Sequence, residues 1–355
     1  MKPSLLNLGL SPFFTQQLMA DEIEHTQFAR IIEVQRSHVV ASDGAAQWPI
    51  TLGGAWFKER SEDRPTVGDW VLLNHLGDKI LRLLDRKSIF KRIAAGNKVG
   101  VQLIAANVDT LFILTSCNED FSESRLERYL SLADEAGVDP VIVLTKADLS
   151  LDPDHYLDRV KALAEEIPVK VVNATDVESL NGLLSWVTSG STVALVGSSG
   201  VGKSSIVNSL SGTTLTATGS IREQDSKGKH TTSFRSLHCL PDGGILLDVP
   251  GMRELKVAEL DSSIGSVFDD VEAFAAQCKY SNCGHNEEPN CAVRSAIDSG
   301  AMDQRRLLNY RKLILEEARN TASLAKQRSQ GRQFGKSVKQ HLALKKNLGK
   351  GTKAI

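Results

Sequence analysis

Eight residues, Gly197 to Ser204, constrain this chain of 355 residues more than any others; they read Gly-Ser-Ser-Gly-Val-Gly-Lys-Ser. The mostly apolar run Thr192 to Val196 precedes them and Ser205 to Leu210 follows, so the glycine-rich stretch falls where a strand should turn into a helix. In that setting successive backbone N–H groups and the positive end of the helix form a concave anion site. Gly197, Ser198, Ser199, Gly200, Val201, Gly202 and Ser205 are therefore expected to line a phosphate loop. Lys203 would reach the β and γ phosphates, and the Ser204 hydroxyl would ligate magnesium.

Around this loop, from about Asn97 to Val257, strand-like and helix-like runs alternate, which argues a mostly parallel sheet with ligands at the carboxyl ends of its strands. Strands are expected at 109–115, 141–145, 169–172, 192–196 and 244–247, with helices over 124–136 and 154–166. Four further segments lie at or near such strand ends. Thr145-Lys146-Ala147-Asp148 offers a carboxylate, Asp148, that can accept both the ring N–H and the exocyclic amine of guanine, a donor pair adenine lacks. The stem of Lys146 would lie over the base plane, and Asn173-Ala174 would present a backbone N–H to the guanine oxygen. Asp248-Val249-Pro250-Gly251 places a carboxylate where it can hold magnesium through water, and Thr232, in Lys229-His230-Thr231-Thr232, offers a hydroxyl to the same ion. Each tetrapeptide alone also reads as a helix cap or a turn; beside a phosphate loop, the four together read as a GTP or GDP site. Their order is unusual. Asp148 precedes Gly197, whereas ordinary Ras-like GTPases carry the phosphate loop first, so the chain resembles a circularly permuted GTPase.

On the amino-terminal side, residues 1–30 read as a lead-in with one helix at most. From 31 to 95, five short runs beginning near Ile31, Ser37, Trp48, Asp69 and Lys79 are separated by turn signals such as Asp43-Gly44 and Leu76-Gly77-Asp78. They suggest a small barrel of the oligonucleotide-binding type. On the carboxyl side, residues 261–320 hold Cys278, Cys283, His285 and Cys291 within fourteen positions, the ligand set of one structural, tetrahedral zinc ion. The helical spacing of Leu307, Tyr310 and Ile314 marks a core-facing stripe. The net charge of −1 conceals an asymmetry: from residue 318 onward there are ten basic residues and no acidic one, leaving 32 basic against 43 acidic in the rest. A basic tail over 321–355 suits a polyanionic partner. No apolar run is long enough to span a bilayer or to form a signal-peptide core, and five cysteines with three clustered favour a metal site over a disulfide framework, so a cytoplasmic location is expected.

A barrel, a permuted GTPase over 97–260 and a C-x4-C-x-H-x5-C region in one chain resemble the small-ribosomal-subunit biogenesis GTPase family, RsgA, also called YjeQ. Val67-Gly68-Asp69-Trp70-Val71, Asn107-Val108-Asp109, Gly228 to Thr232, Asp248 to Glu254 and His285-x-x-Glu288-x-x-Cys291 carry the likeness. The resemblance implies an α/β fold with flanking barrel and mainly helical zinc region. It also implies a monomeric, ribosome-stimulated GTPase that acts late in small-subunit maturation and clasps ribosomal RNA. A nucleotide-gated RNA-binding chaperone with incidental hydrolysis is the alternative. Two departures stand out: Thr145 replaces a frequent Asn, which is expected to loosen the tie between base loop and phosphate loop, and Asn173 replaces the usual Ser. Met252 stands where Ras has its water-orienting Gln, so intrinsic turnover should be slow, with His230 the nearest polar candidate for that role.

Overall fold

The structure, a computed structural model, describes residues 3–35, 37–57, 59–93, 101–212, 235–241, 243–248, 261–323 and 325. The amino-terminal segment forms three short helices, α1 (Pro3–Asn7), α2 (Pro12–Thr15) and α3 (Ala20–His25), where one at most was expected. They are not an idle lead-in. Leu5, Leu8, Leu10 and Phe14 pack on Trp70, Leu72 and Leu84; burial at about 1.5–3 kcal/mol per large apolar side chain explains why so short a segment stays docked.

Five antiparallel strands follow: β1 (Gln27–Val34), β2 (His38–Ser42), β3 (Gln47–Thr51), β4 (Trp70–Leu73) and β5 (Ile80–Leu83). They pair in the order β3-β2-β1-β4-β5. Their period of two sends Ala29, Ile31, Val39, Ala41, Ile50, Val71, Leu73 and Ile80 into a core of their own. Strand β1 begins at Gln27, four residues before the expected start of the barrel, because Gln27 to Arg30 ladder onto Trp70 to Leu73. An unanticipated ribbon of β6 (Ile89–Ile93) and β7 (Val101–Ala106) crosses the expected boundary at 95–97.

The central sheet comprises β8 (Thr110–Ser116), β9 (Asp139–Thr145), β10 (Val169–Val171), β11 (Thr192–Gly197), β12 (Arg235–Cys239) and β13 (Ile245–Asp248). Its order is β10-β9-β8-β11-β13-β12, parallel throughout except for β12. Strand β8 is buried along its whole length, the signature of a parallel strand covered on both faces. Odd and even positions part cleanly: Leu111 and Ile113 join one core, Phe112 and Leu114 the other. Helices α4 (Glu123–Ala136), α5 (Pro153–Leu163), α6 (Val177–Leu180) and α7 (Lys203–Ser211) connect the strands. Gly137, at φ +67°, ends α4 in the left-handed conformation that favours glycine. Strand β11, which carries the phosphate loop, lies centrally beside β8 although β8 to β10 precede it in the chain, as a permuted order requires.

Beyond the sheet come α8 (Asp261–Val267), α9 (Asp269–Ala275), α10 (Ala292–Asp298) and a helix over 304–323, here α11, which runs past the expected boundary at 320. Phe268, Val271, Val293, Leu307, Tyr310 and Leu313 share one core with Leu126, Tyr129 and Leu130 of α4. The barrel, by contrast, is continuous with the sheet through backbone: Glu33 pairs with Ser236 and Val34 with Arg235. Arg30, fully buried, seals that junction by donating to the carbonyls of Leu8 (2.6 Å), Asn107 (2.9 Å) and Gly68 (3.2 Å) and to Thr192 Oγ1 (2.9 Å). Burial pushes its guanidinium down to about 10, so it stays charged at neutral pH.

Candidate nucleotide site and Cys/His cluster

Strand β11 delivers the phosphate loop and α7 starts at Lys203, so residues 197–202 turn between them as the sequence requires. Gly202 sits at φ +108°, a conformation that disfavours a side chain, and a Cβ there would press on Ala174 Cβ at 3.2 Å and touch Thr145 Cβ at 3.9 Å. Residues of three separate loops thereby meet at one glycine. Lys203 Nζ donates to the carbonyls of Gly197 (2.7 Å) and Ser198, which folds its stem back over the loop.

Thr145 ends β9 and is fully buried. Its hydroxyl donates to the Val201 carbonyl at 2.6 Å. The tie between base loop and phosphate loop, expected to be loosened by Thr in place of Asn, is present, because even a short side-chain hydroxyl on Cβ reaches when the loops are this close. Lys146 adopts the left-handed conformation at φ +57°, which turns the chain into the short 3-10 helix Ala147–Leu149 and leaves Asp148 exposed at the sheet's carboxyl end. The Asn173 side chain accepts from the Thr175 backbone N–H (3.0 Å) and hydroxyl (2.8 Å), so it shapes its loop, while the neighbouring Ala174 carbonyl accepts from Ser209 of α7 at 3.2 Å. Segments 145–148, 173–174 and 197–205 therefore converge. Asp248 closes β13 opposite Ser236; His230, Thr232 and Met252 lie outside the described residues.

The second cluster brings Cys278, Cys283, His285 and Cys291 together, with all four ligand atoms within 4.8 Å of one another. Cys278 Sγ lies 3.9 Å from Cys291 Sγ, and His285 Nδ1 lies 3.6 and 3.5 Å from those two sulfurs. Metal–sulfur bonds of about 2.3 Å at tetrahedral angles give sulfur–sulfur separations of about 3.8 Å, so the donors fit one tetrahedral ion. Burial opposes ionisation of Cys278, but the backbone amides of Val293 and Ala292 together with the Cys283 and Cys291 thiols outweigh it and hold the thiol below its ordinary 9.0, toward the thiolate a metal takes. His285 at φ +57° turns inward, and Glu288 braces that turn by accepting the N–H groups of Gly284 (2.9 Å) and Asn286 (2.7 Å).

A family model described as RsgA GTPase matches residues 83–258. Another, described as ABC transporter, matches 180–350, a span that shares the phosphate loop with the first. The small ribosomal subunit biogenesis GTPase RsgA 2 of Vibrio parahaemolyticus is 50% identical over 332 residues, covering 94% of this chain and 91% of that protein. The chain belongs to the RsgA family. Two solved structures share its fold: YjeQ from Thermotoga maritima, with a TM-score of 0.58, 22% identity and coverage of 82% of this chain and 98% of that one, and YloQ, described as a circularly permuted GTPase, with a TM-score of 0.54, 24% identity and coverage of 82% and 95%.

In this RsgA-family chain the structure also brings forward residues that no motif announced. Asp120, between β8 and α4, accepts from the Ser198 hydroxyl of the phosphate loop and pairs with Arg125 at 3.1 Å. Glu127, a fully buried carboxylate on α4, takes Arg305 and Arg306 at 3.1 Å each and the Asn309 amide. The only hint in the sequence was an acidic residue on what would otherwise be an apolar helix face; its partners lie some 180 positions away. Cys117, by contrast, has no part in either cluster, and burial pushes its thiol up to about 11.

Proposed function

We propose that this protein hydrolyses GTP to GDP and phosphate, is stimulated by the small ribosomal subunit, and acts late in that subunit's maturation while bound to its rRNA. The observation that carries the reading is the convergence of the Asp148 loop, the Asn173-Ala174 loop and the phosphate loop around Gly202, tied by the Thr145–Val201 hydrogen bond. A carboxylate for guanine and a cradle for phosphates then face one ligand, with Thr145 to Asp148, Asn173, Ala174 and Gly197 to Ser205 in contact with it. Ser204, Thr232 and Asp248 hold magnesium, which neutralises charge on the β and γ phosphates. Zinc is the ion for the three thiols and one imidazole of the second cluster, since soft and borderline donors select it. The barrel and the zinc region, with the basic tail, supply the RNA contacts, and the site of action is the cytoplasm. Among the described residues no helix is long and apolar enough to cross a membrane, in keeping with that.

With Met252 unable to orient water, intrinsic turnover is slow and His230 takes that role on the ribosome. The test is the GTPase rate with small subunits, with large subunits and with neither. Stimulation by the small subunit alone supports the reading; nucleotide-dependent binding without stimulation points instead to a chaperone. His230→Ala that binds GTP normally and keeps full stimulated hydrolysis removes His230 from the mechanism.

A further inference from the structure

The phosphate loop is held from outside by a side chain that belongs to none of the nucleotide motifs. Ser198, its second residue, is gripped twice: its hydroxyl donates to Asp120 Oδ2 and its carbonyl accepts from Lys203 Nζ. Lys203 Nζ donates to the carbonyls of Gly197 and Ser198, and Gly197 is itself set by the β11 ladder, its partner in register being Leu114. Ser198 lies past the end of that ladder, where Asp120 holds its hydroxyl and Lys203 its carbonyl.

Asp120 is in turn well braced. Arg125, in the first turns of α4, donates to both of its oxygens at 3.1–3.2 Å, and the Asn118 side chain accepts its backbone N–H at 3.0 Å. Next to it, Phe121 is clamped between Tyr156, at 5.3 Å between ring centroids, and the Arg159 guanidinium, at 4.6 Å from its ring. Burial raises the Asp120 carboxyl, but the Ser198 and Arg125 hydrogen bonds and the charges of Arg125 and Lys146 outweigh it and hold the group below its ordinary 3.8, so it is an anionic acceptor at neutral pH. The Asp120 and Arg125 side chains keep 41% and 33% of their exposure, and an ion pair so open to water adds little to stability. What the arrangement does add is a fixed place for Ser198.

We propose that Asp120 is a positioning residue for phosphoryl transfer: it holds the Ser198 hydroxyl, and through the Ser198 carbonyl it aims Lys203 at the phosphates. This rests on the reading of the protein as a GTP hydrolase. An aim of this kind matters most where charge on the transferring phosphoryl group is redistributed, so its loss falls on the chemical step more than on ground-state binding.

The test is a double-mutant cycle on the full-length protein with magnesium: wild type, Asp120→Ala, Ser198→Ala and the pair. GDP affinity is read by calorimetry, the hydrolytic rate by single-turnover GTP assays with and without small subunits, and folding by thermal melting. The expected result is a rate about 10-fold lower in each single variant, GDP affinity within about 3-fold of wild type, unchanged melting, and no further loss in the double variant, because both substitutions cut the same link. Multiplicative losses, a fall in GDP affinity equal to the fall in rate, or an Asp120→Ala rate equal to wild type each overturn the role of Asp120 and leave the proposed function standing. A wild-type chain that hydrolyses no GTP under any condition overturns both.

Discussion

The barrel meets the central sheet through backbone, with Glu33 and Val34 of β1 paired to Ser236 and Arg235 of β12, whereas the Cys/His region meets it through the side chains of α4. The two joints differ because the two regions differ in what they own. The barrel has its own apolar core and needs only an edge and a cap for Arg30. The Cys/His region has no comparable core; Phe268, Val293, Leu307 and Leu313 complete theirs with α4, and its short Cys-rich loops gather four ligand atoms that a metal would close. Strand β12, paired on one side to β13 and on the other to β1, begins a few residues after Thr232, so the barrel is attached next to a segment expected to respond to nucleotide. The Cys/His region is attached to the helix that follows Asp120, so the two flanks meet the central sheet through different elements.

Three experiments sharpen or break this contrast. The largest effect belongs to the metal. Removing it with a chelator, or replacing Cys291 with Ser, withdraws stabilisation on the order of 10 kcal/mol from the region it staples. Hydrogen exchange should then show protection lost over 278–298 while β1 to β5 keep theirs; a barrel that loosens in step would mean the two flanks are one cooperative unit. Next come the two buried polar joints. Glu127→Ala removes the carboxylate that Arg305 and Arg306 share, leaving them Glu123 and Asp270 respectively, and should cost about 2–3 kcal/mol. Arg30→Met strands the buried carbonyls of Leu8 and Asn107, while Gly68 keeps the Asn107 amide, and should cost about 2–3 kcal/mol. Thermal melts give the size, and exchange mapping gives the place: α10 and α11 for the first, the lead-in helices and β1 for the second. The contrast fails if both variants destabilise the same elements. The smallest effect is that of salt. Arg128 and Glu316 pair at 2.6 Å but are each about a quarter exposed, so raising ionic strength tenfold should weaken this contact by less than about 1 kcal/mol. Exchange in α11 should quicken slightly while the β1–β12 ladder, made of backbone hydrogen bonds, stays as it was.

Much of the sheet was legible because parallel strands buried on both faces are written as unbroken apolar runs, and the five expected between 109 and 247 lie within two residues of their observed limits at both ends. Strand β12 was not, since Arg235-Ser236-Leu237-His238-Cys239 has the mixed character of a strand beside an edge and its identity comes from partners on both sides. The lead-in helices escaped notice for a related reason: at four to six residues they are too short to show a period, and only Trp70, Leu72 and Leu84 give their apolar side chains a purpose. That Thr145 still ties the two loops was not legible because a comparison of residue types carries no distances, and the hydroxyl reaches the Val201 carbonyl at 2.6 Å.

From the amino-acid order alone came the chemistry that lies within a few consecutive residues: the phosphate loop, the carboxylate proposed to read guanine, the thiols and imidazole at ligand spacing, and the permuted arrangement of these parts. Such features are local because backbone turns and ligand spacings are set by neighbours in the chain. Only the folded structure decided which distant groups would share a contact: Asp120 with Ser198, Glu127 with Arg305 and Arg306, Glu33 with Ser236, and Arg30 among four acceptors. Those pairings cross up to 200 positions, and a charge or a hydroxyl acquires its partner only once packing has excluded water from everything else within its reach.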